Sequence, residues 1–466
     1  MNDTICALAT APGGALGIVR VSGSKAFDAV SSICSVRCAE CAANTVHYSH
    51  LIELDAVSHH PVPIDEVLVS IFKAPHSYTG EDSVEISCHG SRYILNKVLE
   101  LLIQNGCRMA NPGEFTQRAY LNGKMDLSQA EAVADLIASN NKATHQMAMS
   151  QLRGGISTKL AQLREQLLKL TSLLELELDF SDHEDLEFAD RNELLALTKT
   201  IDTHITRLAD SFETGQALKQ GIPVAIVGKT NVGKSTLLNA LLKEDRAIVS
   251  DIHGTTRDTI EDTIDISGIT FRFIDTAGIR QTTDQIEQIG ITRTYAAIDK
   301  ARIILWLIDA EPTESELQEM RERCKDKSLI VIQNKIDKSN DNLTFSPSHP
   351  LTFSSSHLLT LSPSHLLRLS AKYGIGLDTL RQRLLDAAPK TADSDVIISN
   401  ARHYDALIRA HSHLQRVIDG MHQQLSGDLL AEDLRLTLDT LSEITGGQIT
   451  PNEVLGNIFK NFCVGK

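Results

Sequence analysis

One stretch constrains the fold of this chain more than any other. In "PVAIVGKTNVGKSTLLNALL" an apolar run meets a glycine loop, which opens into leucines at helical spacing. Gly228, Gly233, Lys234 and Ser235 fit the pattern GxxxxGK[ST]. The glycines let successive backbone N–H groups turn onto a polyphosphate. The lysine reaches the outer phosphates, and the serine hydroxyl is offered to Mg2+. The loop needs a strand before it and a helix after it, so this region must be α/β.

Four further elements follow in the order a guanine-nucleotide switch requires. "GTTRD" (Gly254 to Asp258) lies where a switch segment belongs, and Thr256 is placed to ligate Mg2+ in the triphosphate state. "DTAG" (Asp275 to Gly278) ends the apolar strand "TFRFI" and brings an aspartate towards the metal. "NKID" (Asn334 to Asp337) ends "SLIVIQ", where Asp337 can accept two N–H bonds from an edge that guanine has and adenine lacks. "SAK" (Ser370 to Lys372) closes the base pocket. Together they predict a GTPase. The expected nucleotide contacts are Asn231, Val232, Gly233, Lys234, Ser235 and Thr236 in the loop, then Ser250, Asp251, Ile252, His253, Gly254, Thr255 and Thr256 in the switch. Asp275, Thr276, Ala277 and Gly278 follow, with Asn334, Lys335, Asp337, Ser370, Ala371 and Lys372 around the base.

Ras-type enzymes orient the attacking water with a glutamine directly after DTAG. Here that position is Ile279, whose apolar side chain cannot do so. Lys234 remains as a catalytic cation. Asn231 is a candidate ligand for a monovalent cation standing where an arginine finger's charge would be. Glu287, in "DQIEQIG", is a candidate carboxylate for orienting water. On spacing alone the plainer readings are preferred: a loop cap for Asn231 and a solvated helix residue for Glu287.

Helical patterns flank this nucleotide domain, which is expected over 217–388. Ser128 and Glu131 read as a capping box before "SQAEAVADLIAS". Ile156, Leu160, Leu163, Leu167, Leu170 and Leu174 form a seam of coiled-coil spacing. Beyond the domain, Tyr404, Leu407, Ile408, His411, Leu414, Ile418 and Met421 make another face, and a further helix stops at Gly446 and Gly447. Neither flank can bury its seam alone. One bundle built from 123–216 and 389–466 is the economical solution. Residues 1–122 differ, with strand-like "EVLVSIF" and "DSVEISCHG" suggesting a small α+β domain. The expected fold class is therefore multidomain, α/β plus all-α: an N-terminal α+β domain, a discontinuous helical bundle and an inserted Ras-like P-loop domain. Inside that last domain, 343–366 repeats an eight-residue unit three times, "LTFSPSHPLTFSSSHLLTLSPSHL". Its serines and prolines read as a solvated, duplicated loop rather than a metal site for His349, His357 and His365.

A net charge of -15 argues against bulk electrostatic binding to nucleic acid, though it leaves room for a local basic patch. No stretch approaches the ~18 uninterrupted apolar residues of a membrane span. The N-terminus lacks the basic region of a secretory signal. The expectation is a cytoplasmic protein with no membrane partner, whose eight cysteines are free thiols. Cys34, Cys38 and Cys41 have the Cx3Cx2C spacing of radical iron–sulfur enzymes, but the helical "KAFDAVSSIC" precedes them where a strand should. Incidental thiols are the preferred reading. Cys463, in the terminal "NFCVGK", could be a loose end, a redox device or part of a catalytic tail.

Taken together, the motifs closely resemble the MnmE (TrmE) family of bacterial tRNA-modification GTPases. The resemblance rests on "APGGALGIVRVSG", "SYTGEDSVEISCHG", "NPGEFTQRAYLNGKMDLSQAEAVADLI", "GKTNVGKSTLLNAL", "DIHGTTRD", "DTAGIR", "LSEITG" and "FCVGK", and it spans nearly the whole chain apart from the repeats. It implies that the N-terminal domain binds folate, that the protein is a homodimer through those domains, and that it works in a heterotetramer with the FAD- and NADH-using MnmG. The pair would add a carboxymethylaminomethyl or aminomethyl group at C5 of wobble uridine 34 in certain tRNAs. The carbon would come from 5,10-methylene-tetrahydrofolate or a related reduced folate, with potassium-dependent GTP hydrolysis driving the cycle. By the same resemblance, Arg20, Glu85, Lys124 and Lys466 match the folate contacts. Asn231, Ser250, Ile252 and Thr255 match the potassium site, Ser235 and Thr256 the magnesium ligands, and Glu287 the water-orienting carboxylate. This reverses the preference from spacing for Asn231 and Glu287. The tail is expected to fold towards the folate pocket, with Cys463 near the one-carbon chemistry. The rival reading is a GTP-regulated ribosome-assembly factor without covalent chemistry. Such factors share the G-domain elements but usually carry a second P-loop or an RNA module.

Overall fold

The computed structural model describes residues 3–54, 60–179, 191–245, 262–274, 295–309, 312–325, 327–338, 366–390 and 396–447, together with 455, 458–460, 462 and 465. The chain forms two compact units. One comprises Met1–Ala138, Ala148–Ile205 and Asp405–Lys466, and the other Ser139–Met147 and Thr206–Tyr404.

The first unit begins with β1 (Thr4–Leu8), β2 (Leu16–Ser22), α1 (Ala26–Ile33), β3 (Thr45–Leu54), β4 (Pro61–Phe72), β5 (Ser83–His89), α2 (Arg92–Gln104) and β6 (Cys107–Met109). The strands form one sheet in the order β3-β4-β5-β2-β1-β6. All its ladders are antiparallel except β1–β6. Side chains alternate between the two faces of a strand. Val19, Val21, Val67, Val69, Ile71, Val84 and Ile86 therefore share one face and share a buried core with residues of α1 and α2. Alternation sends Arg20 and Glu85 to the opposite face, where the β2–β5 ladder sets them side by side. Cys34 and Cys38 are buried in the helix-covered core. Burial pushes the Cys34 thiol up to about 12, which disfavours the thiolate a metal cluster needs.

The helices of this unit follow: α3 (Glu114–Leu121), α4 (Leu127–Ala138), α5 (Lys142–Leu152), whose start belongs to the second unit, α6 (Gly155–Asp179) and α7 (Arg191–Gln220), which passes into the second unit at Thr206. The capping box is not at Ser128. Helix α4 starts earlier, and Asp126 caps it: Oδ1 accepts the Gln129 N–H at 2.9 Å, while Gln129 Oε1 accepts the Asp126 N–H at 2.9 Å. Ser128 lies in the first turn, buried, and donates to Asp126 at 2.7 Å. The expected seam of α6, from Ile156 to Leu174, is buried at all six positions.

The second unit contains β7 (Ile222–Val227), α8 (Lys234–Asp245), β8 (Asp262–Ile266), β9 (Ile269–Phe273), β10 (Ile303–Ile308), α9 (Glu314–Arg323), β11 (Ser328–Gln333), β12 (Leu366–Arg368) and α10 (Leu377–Ala387). Its sheet runs β12-β11-β10-β7-β9-β8, parallel except for the β8–β9 hairpin. β10 is buried along its whole length, as a central parallel strand covered on both faces must be.

The chain then returns to the first unit through α11 (Ala401–His422) and α12 (Gly427–Thr445). Helix α12 packs on α6, and α11 meets α7, where Asp202 pairs with His411 at 2.6 Å and accepts from Gln415 at 2.7 Å. Segments from both sides of the nucleotide domain thus build one bundle. On α11 the expected Leu407, Leu414, Ile418 and Met421 are buried, whereas Tyr404 and Ile408 are exposed, and Ala406, Ala410 and Val417 complete the buried stripe instead. The alanines complete the 3.6-residue period but carry little weight when large apolar residues are sought.

Candidate functional site

Helix α8 begins at Lys234, immediately after the glycine loop, so the loop's N–H groups lie at a helix N-terminus, where anions are favoured. The Lys234 ammonium is drawn back over the loop, donating to the carbonyls of Gly228 at 2.6 Å and Lys229 at 2.7 Å. Burial lowers its pKa. Gly233 has φ +101°, and a Cβ there would lie 2.2 Å from Asn334 Nδ2. Lys229 leaves the loop sideways to pair with Glu316 of α9 at 2.8 Å.

The base-reading elements lock onto the same loop. Asn334 donates to the Val232 carbonyl at 2.8 Å and accepts the Ala371 N–H at 3.1 Å. Lys335, at φ 65°, reaches the carbonyl of Asn231, itself at φ 62°. Ser370 donates to Asp337 Oδ1 at 2.7 Å, which orients the carboxylate. Of the predicted nucleotide contacts, Asn231, Val232, Asn334, Lys335, Asp337, Ser370 and Ala371 are joined by these hydrogen bonds. Ser250, Asp251, Ile252, His253, Gly254, Thr255, Thr256, Asp275, Thr276, Ala277, Gly278 and Glu287 lie outside the described residues, as does 343–365 of the repeat segment.

The second site is on the open face of the N-terminal sheet. Arg20 donates to Glu85 Oε1 from Nε at 2.9 Å and from Nη2 at 2.7 Å. Its Nη1 donates to the carbonyl of Gly465, in the C-terminal tail, at 3.3 Å. Gly465 has φ +93°, and a Cβ would lie 2.3 Å from the Leu8 carbonyl oxygen, so only glycine fits this approach. Further back along the tail, Leu455 and Phe459 are buried against Leu127 and Ala130. Lys124 is exposed and donates to the carbonyl of Pro75 at 2.9 Å. Cys463 and Lys466 lie outside the described residues.

Beneath this site is a buried ion network. Arg118, fully enclosed, donates to Asp3, Glu81 and Glu114, and Arg108 donates to Glu114 and Asp3. Burial alone would raise the Glu114 carboxyl, but bonds from Arg108, the Asn111 N–H and Arg118 outweigh it and hold it below its ordinary value.

The N-terminal residues 4–124 match the model for the GTP-binding protein TrmE N-terminus, and 127–463 match that for the MnmE helical domain. The chain is 52% identical to the tRNA modification GTPase MnmE of Bacteroides thetaiotaomicron, with all of both chains covered. This chain belongs to the MnmE family. Identity to the proteins of the same name from Phocaeicola vulgatus and Flavobacterium johnsoniae is 51% and 48%, over all of this chain and 99% of each relative. The layout of an MnmE N-terminal region, helical region and GTPase domain agrees with the sequence-derived fold class. The buried network of Arg108, Glu114 and Arg118 was not anticipated. Glu114 and Arg118 lie within the "PGEFTQRAYL" block, and Arg108 lies just before it; each charge read singly looks like a surface residue. No helix among the described residues is long and apolar enough to cross a membrane.

Proposed function

We propose that this GTPase acts with MnmG in a cytoplasmic assembly to place a carboxymethylaminomethyl or aminomethyl group at C5 of uridine 34 in certain tRNAs, as a homodimer within a heterotetramer. The observation that carries the reading is the meeting of Arg20, Glu85 and the tail carbonyl of Gly465 on an open sheet face. Leu455 and Phe459 anchor the tail by packing on Leu127 and Ala130, and Gly465 beyond them reaches the charged pair, where the tail would border a bound ligand.

The residues present fit a reduced folate, which when bound supplies the one-carbon unit. Both Arg20 bonds converge on Glu85 Oε1, so Oε2 can accept from the N–H edge of a pterin. Lys124 offers an ammonium to a glutamate carboxylate, and Lys466 follows directly after the docked Gly465. Cys463 lies within three positions of the chain end, close in sequence to the same dock. In the nucleotide site, Ser235 on the first turn of α8 fits Mg2+. The exposed Asn231 side chain fits K+, because its backbone carbonyl is already used by Lys335. Thr256, Ser250, Ile252 and Thr255 would complete those sites, and Glu287 would orient the water.

Titration with a reduced folate tests this reading. Binding that is lost in Lys124→Ala supports it. Indifference to folate, combined with GTP-dependent binding to a ribosomal subunit, would favour the assembly-factor alternative.

A further inference from the structure

The side chains around Arg20 have a second layer. The ring centroids of Tyr78 and Phe115 lie 5.4 and 5.6 Å from the Arg20 guanidinium carbon, within cation–π range. Phe115 is fully buried, and Tyr78 packs on the same small cluster with Ile5, Ala7 and Ala110. The Tyr78 hydroxyl is hydrogen-bonded to Thr116 Oγ1 at 2.8 Å, which ties the ring to α3. Three residues on, Glu81 accepts from Arg118 of the same helix at 3.1 Å, and between them the Thr79 carbonyl accepts from Asn122 at 2.7 Å. The loop bearing Tyr78 is thus fastened at three points, two on α3 and one on Asn122 just beyond its end. That helix also supplies Phe115.

We propose that Tyr78 is a positioning residue for Arg20 and sets the affinity of this site for an anionic, folate-like ligand. Glu85 takes two N–H groups of the guanidinium at its edge, and the two rings flank it. The side chain is held so that Nη1 points to the tail at Gly465. A free arginine has many rotamers, and ordering it beforehand removes that entropic cost from ligand binding. The inference rests on the folate reading above, and its test separates the two.

The experiment is titration of the full-length protein with 5-formyltetrahydrofolate, comparing wild type, Tyr78→Phe, Tyr78→Leu, Arg20→Lys and the double variant Tyr78→Leu/Arg20→Lys. Loss of the ring in Tyr78→Leu is expected to weaken binding about tenfold, and Tyr78→Phe, which keeps the ring, to restore it to within about threefold. Lysine keeps the charge of Arg20 but not its flat guanidinium, so the double variant is expected to bind no worse than Arg20→Lys alone. A generally damaged fold would instead weaken the two backgrounds alike. Wild-type affinity in Tyr78→Leu, a Tyr78→Phe variant as weak as Tyr78→Leu, or additive losses in the double variant would each overturn the positioning role while leaving the folate site standing. Failure of the wild type to bind would remove the folate reading, and this inference with it.

Discussion

Asn334 and Val232 join the two halves of the nucleotide site: the asparagine amide donates to the loop carbonyl at 2.8 Å, although the residues are 102 positions apart. Its other end accepts from Ala371, so one side chain sets the distance between phosphate loop and base pocket. Asn334→Ala is predicted to weaken GTP and GDP alike, by about 10- to 100-fold, because it removes two hydrogen bonds and leaves buried backbone groups unpaired. A fluorescent-nucleotide titration reads this directly. Selective loss of GTP alone would show that the brace is not shared between the two states.

Hydrolysis is expected to be faster in potassium than in sodium at equal ionic strength, and Asn231→Ala to flatten the difference. Steady-state phosphate release in the two salts measures it. Equal wild-type rates would count against a cation standing in for an arginine finger's charge.

Much of this architecture was readable from residue pattern. The six seam positions of α6 repeat with the spacing of a helix face, so periodicity alone identifies that helix. The glycine loop, NKID and SAK are local in sequence and chemically specific. What escaped was non-local or small. Arg118 resembles a surface charge until Asp3, Glu81 and Glu114 close around it from three separate segments. The cap of α4 was misplaced by two residues because serine followed by glutamate imitates a box that Asp126 and Gln129 make. The approach of the tail to this pocket was legible only through the family resemblance, because a contact between Arg20 and the Gly465 carbonyl spans 445 positions and leaves no local pattern.

The Arg118 network predicts a pH dependence. Glu114 has a folded-state pKa below its ordinary 4.5, so it stabilises the first unit fully above that value. That contribution falls away as pH drops below about 4.5 and through the lowered pKa. Urea unfolding followed from pH 7 to pH 3 should show this slope, and Glu114→Gln should flatten it. Arg118→Ala, which removes the buried cation shared by Glu81, Glu114 and Asp3 but leaves Arg108 on Glu114 and Asp3, is expected to cost about 3 kcal/mol at neutral pH. A change under 1 kcal/mol would mean that the network is not buried in solution.

Gly465→Ala is expected to release the tail, since a methyl group would collide with the Leu8 backbone and force a positive φ on alanine. Faster amide hydrogen exchange at Phe462, whose N–H bonds the Phe459 carbonyl, checks the release. Weaker folate binding in the same variant, by tenfold or more, checks that the docked tail completes the pocket.

The central claim is that the nucleotide switch and the Arg20 site serve one reaction on tRNA. Nucleoside mass spectrometry of tRNA from cells lacking this protein tests it most directly. The account predicts that C5-aminomethyl-type groups disappear from uridine 34, return with the wild-type gene, and fail to return with Lys124→Ala or Asn334→Ala. Unchanged modification at uridine 34 in cells lacking the protein would contradict it.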